Sequence, residues 1–241
     1  MIKGLIMYHL ILLVKDPALV LLGLAFPFVQ LFLHSQDNLV AADASYINII
    51  DTGIVSFMCI AAMVLCWGAS YNHAYSREIK FLRRLRMSPV KPLHYIVSGI
   101  VLNIGVLVVF ASALIIVAAV LFDIDITSKN WALIIALLLL IFTMFYVMGM
   151  FVANMLKKAK NSQSLSYVVF GGMIVVVNML AIDSLPNFIQ VIIRNTPITY
   201  ATNVLLAAWL GTGLFNGHDF IGMMACVVVL GLLSVKFFKY E

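Results

Sequence analysis

Hydrophobic positions along the chain fall into long unbroken runs separated by short polar breaks. A helix that crosses a bilayer needs about 20 consecutive apolar residues, with a range of about 17–25. Six runs are candidates, over residues 17–33, 53–72, 95–122, 131–156, 164–182 and 220–235. Pro17 stands at the first helical position of the first run, where its missing N–H costs nothing. The third run carries no charge and is long enough to tilt. The sixth is short, but Lys236 and Lys239 can snorkel at its end while Phe237 and Phe238 extend the buried part.

Two further apolar stretches do not fit that pattern. Residues 2–14 are too short to span and carry Lys3 and His9, so they read as a helix lying in the membrane interface. The other stretch, 185–210, is interrupted by Arg194-Asn195-Thr196-Pro197. Thr196 suits an N-cap, Pro197 the first helical position and Gly211 the residue after a helix end. Two short helices follow, over 187–194 and 198–210, neither long enough to cross alone. The expected fold is an all-α membrane protein with six transmembrane helices and an N-terminal interfacial helix. An external re-entrant helical hairpin sits between helices 5 and 6. All of it forms one membrane domain over 1–241.

Composition agrees with that picture. Of 241 residues 64% are hydrophobic and 10% charged, against about 25% charged in soluble domains. The net charge of +5 does not point to nucleic acid, because the basic residues lie in short breaks between apolar runs. With the N-terminus inside, the cytoplasmic pieces hold thirteen basic residues and the external pieces only Lys129 and Arg194. Asp37, Asp43, Asp51, Asp123, Asp125, Asp183 and Asp219 fall outside. That asymmetry sets the expected orientation in a plasma membrane, with both termini cytoplasmic. The first residues have no small-x-small cleavage site before Lys15-Asp16, so they are expected to be retained. Cys59, Cys66 and Cys226 lie inside apolar runs and read as free buried thiols, with no metal-ligand spacing to any His.

The break between the second and third runs carries the most information. At 100° per residue Ile79, Phe81, Leu82 and Leu85 share one broad face, while Arg77, Lys80, Arg83 and Arg84 share the opposite one. Ser88-Pro89 stops the helix. A short basic amphipathic helix of this kind either rests on anionic lipid or docks in a groove on a soluble partner, and periodicity alone does not separate the two.

The stretch Arg77-Glu78-Ile79-Lys80-Phe81-Leu82-Arg83-Arg84-Leu85-Arg86-Met87-Ser88-Pro89 resembles the cytoplasmic loop of ABC-2 type transporter permeases. An acidic residue, a basic-apolar helix and a small residue followed by Pro come after the second span. Lys80-Phe81 stand where the family usually has a Gly before a Thr-Leu-like pair. The hairpin region, with Leu185-Pro186 and Thr196-Pro197-Ile198-Thr199-Tyr200-Ala201, is similar as well. The resemblance implies the membrane subunit of an ATP-driven ABC exporter in a bacterial cell. Two copies of a separate ATPase would bind ATP and Mg, and a second permease copy or paralogue would complete the dimer. It implies an ATPase-coupling helix formed by Arg77, Glu78, Lys80, Phe81, Leu82, Arg83, Arg84, Leu85, Met87 and Pro89. It also implies an external gate formed by Pro186, Arg194, Pro197, Tyr200 and Trp209. The chain itself has no G-x-x-x-x-G-K-[ST] loop for nucleotide phosphates. The cargo expected is a drug or an amphipathic peptide, with a lipid-linked glycan ranked lower. The competing class is an ATPase-independent channel, secondary carrier, or immunity or scaffold protein.

No Asp, Glu, Lys or Arg lies in the interior of the six runs, which counts against ion coupling and a charged channel ring. Asn103, Asn178 and Thr143 are candidates for the cargo path, although an amide in hydrocarbon more often serves an interhelical hydrogen bond. Gly149-x-x-x-Ala153 permits close helix packing, within one subunit before a dimer seam. Trp67, Trp131 and Trp209 stand near the ends of runs, as interface anchors do. No nucleophile elbow or zinc-helix motif is present, so the chain reads as non-catalytic.

Overall fold

The computed structural model describes residues 2–15, 45–86, 92–122, 129–156, 158–179, 186–211 and 217–236. The first expected span, 17–33, lies outside the described residues. Those described form helices α1 (Ile2–Lys15), α2 (Ser45–Glu78), α3 (Phe81–Arg86), α4 (Pro92–Phe122), α5 (Trp131–Met155), α6 (Ala159–Met179), α7 (Asn187–Arg194), α8 (Pro197–Trp209) and α9 (Gly217–Lys236). Among them are four stretches long and apolar enough to cross a membrane: Asp51–Glu78, Val97–Val120, Trp131–Met155 and Gly217–Ser234. They match the second, third, fourth and sixth expected spans. The fifth appears as α6, which begins five residues before the expected boundary at Ser164. Lys160, Asn161, Ser162, Gln163, Ser164 and Ser166 crowd its first two turns and keep it below those four in apolarity.

Helix α2 is the centre of the bundle. Residues 54 to 67 are buried almost without a break, so its apolar surface runs all round the helix. Helices α4, α5, α6, α8 and α9 contribute to the same core. Val101, Val108, Val109, Ile116 and Val120 of α4 and Ile221, Val228, Val229 and Leu232 of α9 point outward. An apolar outer face is what a bundle solvated by lipid requires.

Hydrogen bonds between helices fix their directions. Arg77, at the last turn of α2, reaches the last carbonyls of α5, and Asn154 Nδ2 of α5 donates to Ser234 O of α9 at 3.3 Å. Ser70 and Ser166 meet at 3.0 Å, with α6 antiparallel to α2. So α2, α5 and α9 run one way and α6 the other. One end of the bundle gathers Arg77, Lys80, Arg83, Arg84, Lys158, Lys160 and Lys236. The other gathers Asp51, Lys129 and Asp219.

Close packing depends on one glycine. A Cβ on Gly149 would lie 2.9 Å from the Cys66 carbonyl oxygen and 3.2 Å from Ser70 Cβ. The Gly149-x-x-x-Ala153 spacing is therefore used inside the chain, α5 against α2. Two tryptophan assignments are corrected. Trp67 and Trp209 are buried core residues instead of interface anchors. Trp67 lies edge-on to Tyr167 with ring centroids 4.0 Å apart.

Candidate functional site

At the basic end the chain must turn out of the axis of α2. Ile79 N donates to Tyr75 O at 3.0 Å and Lys80 N to Arg77 O at 2.9 Å. Lys80 then takes a left-handed backbone with φ of 57°. Arg84 N donates to Lys80 O at 3.1 Å and starts α3. The continuous helix expected from Arg77 onward is thus broken at 79–80, and only Phe81–Arg86 forms the surface helix. The break falls on Lys80, which takes a left-handed conformation that favours glycine.

Two apolar residues of α3, Phe81 and Leu82, pack inward. Phe81 stacks on Tyr8 of α1, with ring centroids 4.5 Å apart and planes at 11°. Leu82 is buried with Leu5 and Tyr95. Ser76 Oγ gives its hydrogen to Asn72 O at 2.7 Å. The Tyr95 hydroxyl donates to Ser76 Oγ at 3.0 Å, and Tyr8 meets the same oxygen at 3.0 Å. One serine on α2 therefore joins α1 and α4 beneath the surface helix. His9 Nε2 lies 3.2 Å from Tyr95 O, and its ring presses on the backbone at Gly99. Burial lowers the pKa of His9, opposed by its bond to the Tyr95 carbonyl. Lys80, Arg83 and Arg84 are on the exposed side. The Leu85 side chain, Met87 and Pro89 lie outside the described residues.

Two expected coupling residues sit elsewhere. Arg77 is only 5% exposed. Its Nη2 donates to Ala153 O at 3.0 Å and to Leu156 O, capping the end of α5. It does not belong to the solvent face that periodicity assigned, because α2 continues to Glu78 and carries residues 70, 73 and 77 along one inward stripe. Glu78 Oε2 accepts the N–H of Ala159 at 2.7 Å and caps α6. Arg77 and Glu78 together fasten the end of α2 to the connection between α5 and α6.

At the opposite end, Pro186 is the N-cap of α7, and the exposed Arg194 lies in its last turn. Pro197 opens α8 behind Thr196 in an extended conformation, and Gly211 follows with φ of 68°. Thr196 is the N-cap by backbone position, but its hydroxyl bonds Ile193 O at 2.9 Å and makes no side-chain cap. The Tyr200 ring lies so close to Gly222 that a Cβ there would be 2.8 Å from it, and its hydroxyl donates to Asn195 Oδ1 at 3.0 Å. Trp209 Nε1 donates to Asp51 Oδ1 at 2.6 Å.

The profile of the ABC-2 type transporter family matches residues 2–210, which takes in α1, the surface helix and α8. The chain belongs to the ABC-2 type transporter family. No curated protein sequence matches it.

This ABC-2 domain makes the chain a membrane permease of an ABC transporter. Within the permease the two path candidates whose side chains are described each bond inside their own helix. Asn103 Nδ2 donates to Gly99 O at 2.8 Å, inside its own helix. Thr143 is exposed and bonds Leu139 O at 2.8 Å in the same way. Short polar side chains satisfy themselves one turn back more readily than across helices. The interhelical bond expected of Asn103 is made by Asn154 instead. The Asn178 side chain lies outside the described residues. Asn103 does line a cavity of about 20 Å³ with His9, Asn72, His73, Tyr95 and Tyr146, room for about one water. Sequence reasoning did not single out Ser76, Tyr8 or the Asp51–Trp209 bond. The polar spacing Ser70, His73, Arg77 on one helical face was the available signal that α2 needed polar partners there.

Proposed function

We propose that the chain is the permease subunit of an ATP-driven exporter in a bacterial plasma membrane, with the basic end and both termini cytoplasmic. A separate ATPase, in two copies, carries ATP and Mg, and a second permease copy or paralogue completes the dimer. Six spans and the α7–α8 hairpin at the outer end form its membrane part. The supporting observation is the mounting of α3. Its apolar residues Phe81 and Leu82 are held by Tyr8, Leu5 and Tyr95, while Lys80, Arg83 and Arg84 face out. With Phe81 and Leu82 held within the protein, the cationic side of α3 is the one turned outward, and it suits an acidic protein surface. Force on α3 would pass to α1 and α4 through Phe81 and Tyr95. It would pass along α2 to α5 and α6 through Arg77 and Glu78. The cargo is a hydrophobic or amphipathic drug or peptide, with a lipid-linked glycan as the lower-ranked class, since charged residues are absent from the span interiors.

Co-expression with an ABC ATPase from the same genome tests the reading. The tagged permease should retain the ATPase on purification and raise its hydrolysis rate. Arg83→Glu with Arg84→Glu should abolish the stimulation while membrane insertion is unchanged. A permease that never retains an ATPase, or stimulation that survives both charge reversals, contradicts it.

A further inference from the structure

The end of the bundle opposite α3 carries a second polar device, built around one indole. Trp209 closes α8 and is 1% exposed. Its N–H donates to the carboxylate of Asp51, a residue 4% exposed on α2, at 2.6 Å. Lys129 Nζ, two residues before α5, stands 4.9 Å from the Trp209 ring centroid. Trp131, the first residue of α5, meets Trp209 at 6.0 Å with planes at 87°. An indole is electron-rich on its face and positive at its N–H edge, so cation and carboxylate each take the position that suits their charge. The two charges are tied through the ring. Separating α8 from α2 and α5 would return both to water and break a charge-assisted bond.

Ile198, Ala201, Val204, Leu205 and Ala208 of α8 are buried in the core shared with α2 and α5, and two further attachments of α8 go to α9. Asn203 Nδ2 donates to Asp219 Oδ2 at 3.1 Å, and the Tyr200 ring lies flush against Gly222. At Trp209 a charge-assisted bond to α2 and ring contacts to Lys129 and the start of α5 add to that apolar packing. We propose that Asp51, Trp209 and Lys129 form the latch that holds the outer gate shut, with Trp209 as the positioning residue at its centre. This rests on the reading of α7–α8 as the external gate.

The native Cys59 provides a test. It is fully buried on α2, eight residues and about 12 Å along the axis from Asp51. Proteoliposomes of the full chain are treated with a membrane-impermeant maleimide, and peptide mass spectrometry reads which cysteine reacts. Trp209→Phe keeps an aromatic face but removes the N–H together with one of the two fused rings. It should raise Cys59 labelling from the outer side about tenfold, the effect of one lost charged hydrogen bond. Lys129→Gln should raise it about threefold. Labelling of Trp209→Phe at the wild-type rate overturns the latch. If that variant misfolds, shown by Cys59 and Cys66 reacting alike from both sides, Asp51→Asn decides. It preserves size and an acceptor oxygen while removing the charge, and it should raise labelling of Cys59 but not Cys66. Unchanged labelling there overturns the latch equally. Reaction of Cys59 only from the cytoplasmic side would keep the latch and overturn the assignment of this end as external.

Discussion

Arg77 and Lys80 show how much a single residue decides at the basic end. Arg77 is a buried cation whose Nη2 is held by two backbone carbonyls at the negative end of α5, while its Nε and Nη1 make no hydrogen bond among the described residues. Arg77→Met leaves those carbonyls without a donor. It should cost about 2–3 kcal/mol, read as a lower melting temperature in detergent; an unchanged melting temperature would mean that burying the guanidinium costs as much as its bonds give. Lys80 makes the complementary case. A left-handed backbone costs a non-glycine residue about 1–2 kcal/mol. Lys80→Gly should therefore leave stability unchanged or slightly raised, whereas Lys80→Val should lower it by about 1–2 kcal/mol in the same melt.

At the scale of elements, runs of apolar residues marked α4, α5, α6 and α9 to within about five positions, because length and hydropathy are what a span needs, while α2 extends eight residues before and six beyond its run. The helix pair Asn187–Arg194 and Pro197–Trp209 was legible from Thr196, Pro197 and Gly211, whose backbone preferences are local. The exposed and inward sides of α3 were legible in Phe81, Leu82, Arg83 and Arg84. Its first residue was not, because the break at 79–80 follows from Arg77 being drawn into the bundle by carbonyls far away in sequence. The docking of α1 was equally hidden, since it depends on Ser76, Tyr95 and Gly99 meeting Tyr8 and His9. That docking carries a pH dependence. Burial holds His9 below its usual value of 6.5, so the docked helix binds fewer protons than the undocked one. Docking is then at full strength above about pH 6.5 and weakens as pH falls through the lower docked value. Hydrogen exchange should show the amides of α1 losing protection in acid, and His9→Phe should flatten the profile.

For the molecule as a whole, α2 links the basic end of the bundle to the opposite end, where Asp51 and Asp219 stand with Lys129 and Arg194. Its burial around residues 54–67 makes it the rigid member between them. Gly149 sets how closely α5 can follow it. Gly149→Ala should destabilise the permease by about 1–3 kcal/mol, because the new Cβ meets backbone, which cannot rotate away. The central claim is that the cationic side of α3 is where the ATPase binds. A photo-crosslinking amino acid at position 84, activated in intact membranes containing the permease and the co-expressed ABC ATPase, tests this most directly. A covalent adduct with the ATPase, lost when Phe81→Ala frees α3 from Tyr8, is the expected result. Transport that proceeds normally while position 84 crosslinks only to lipid would contradict the account.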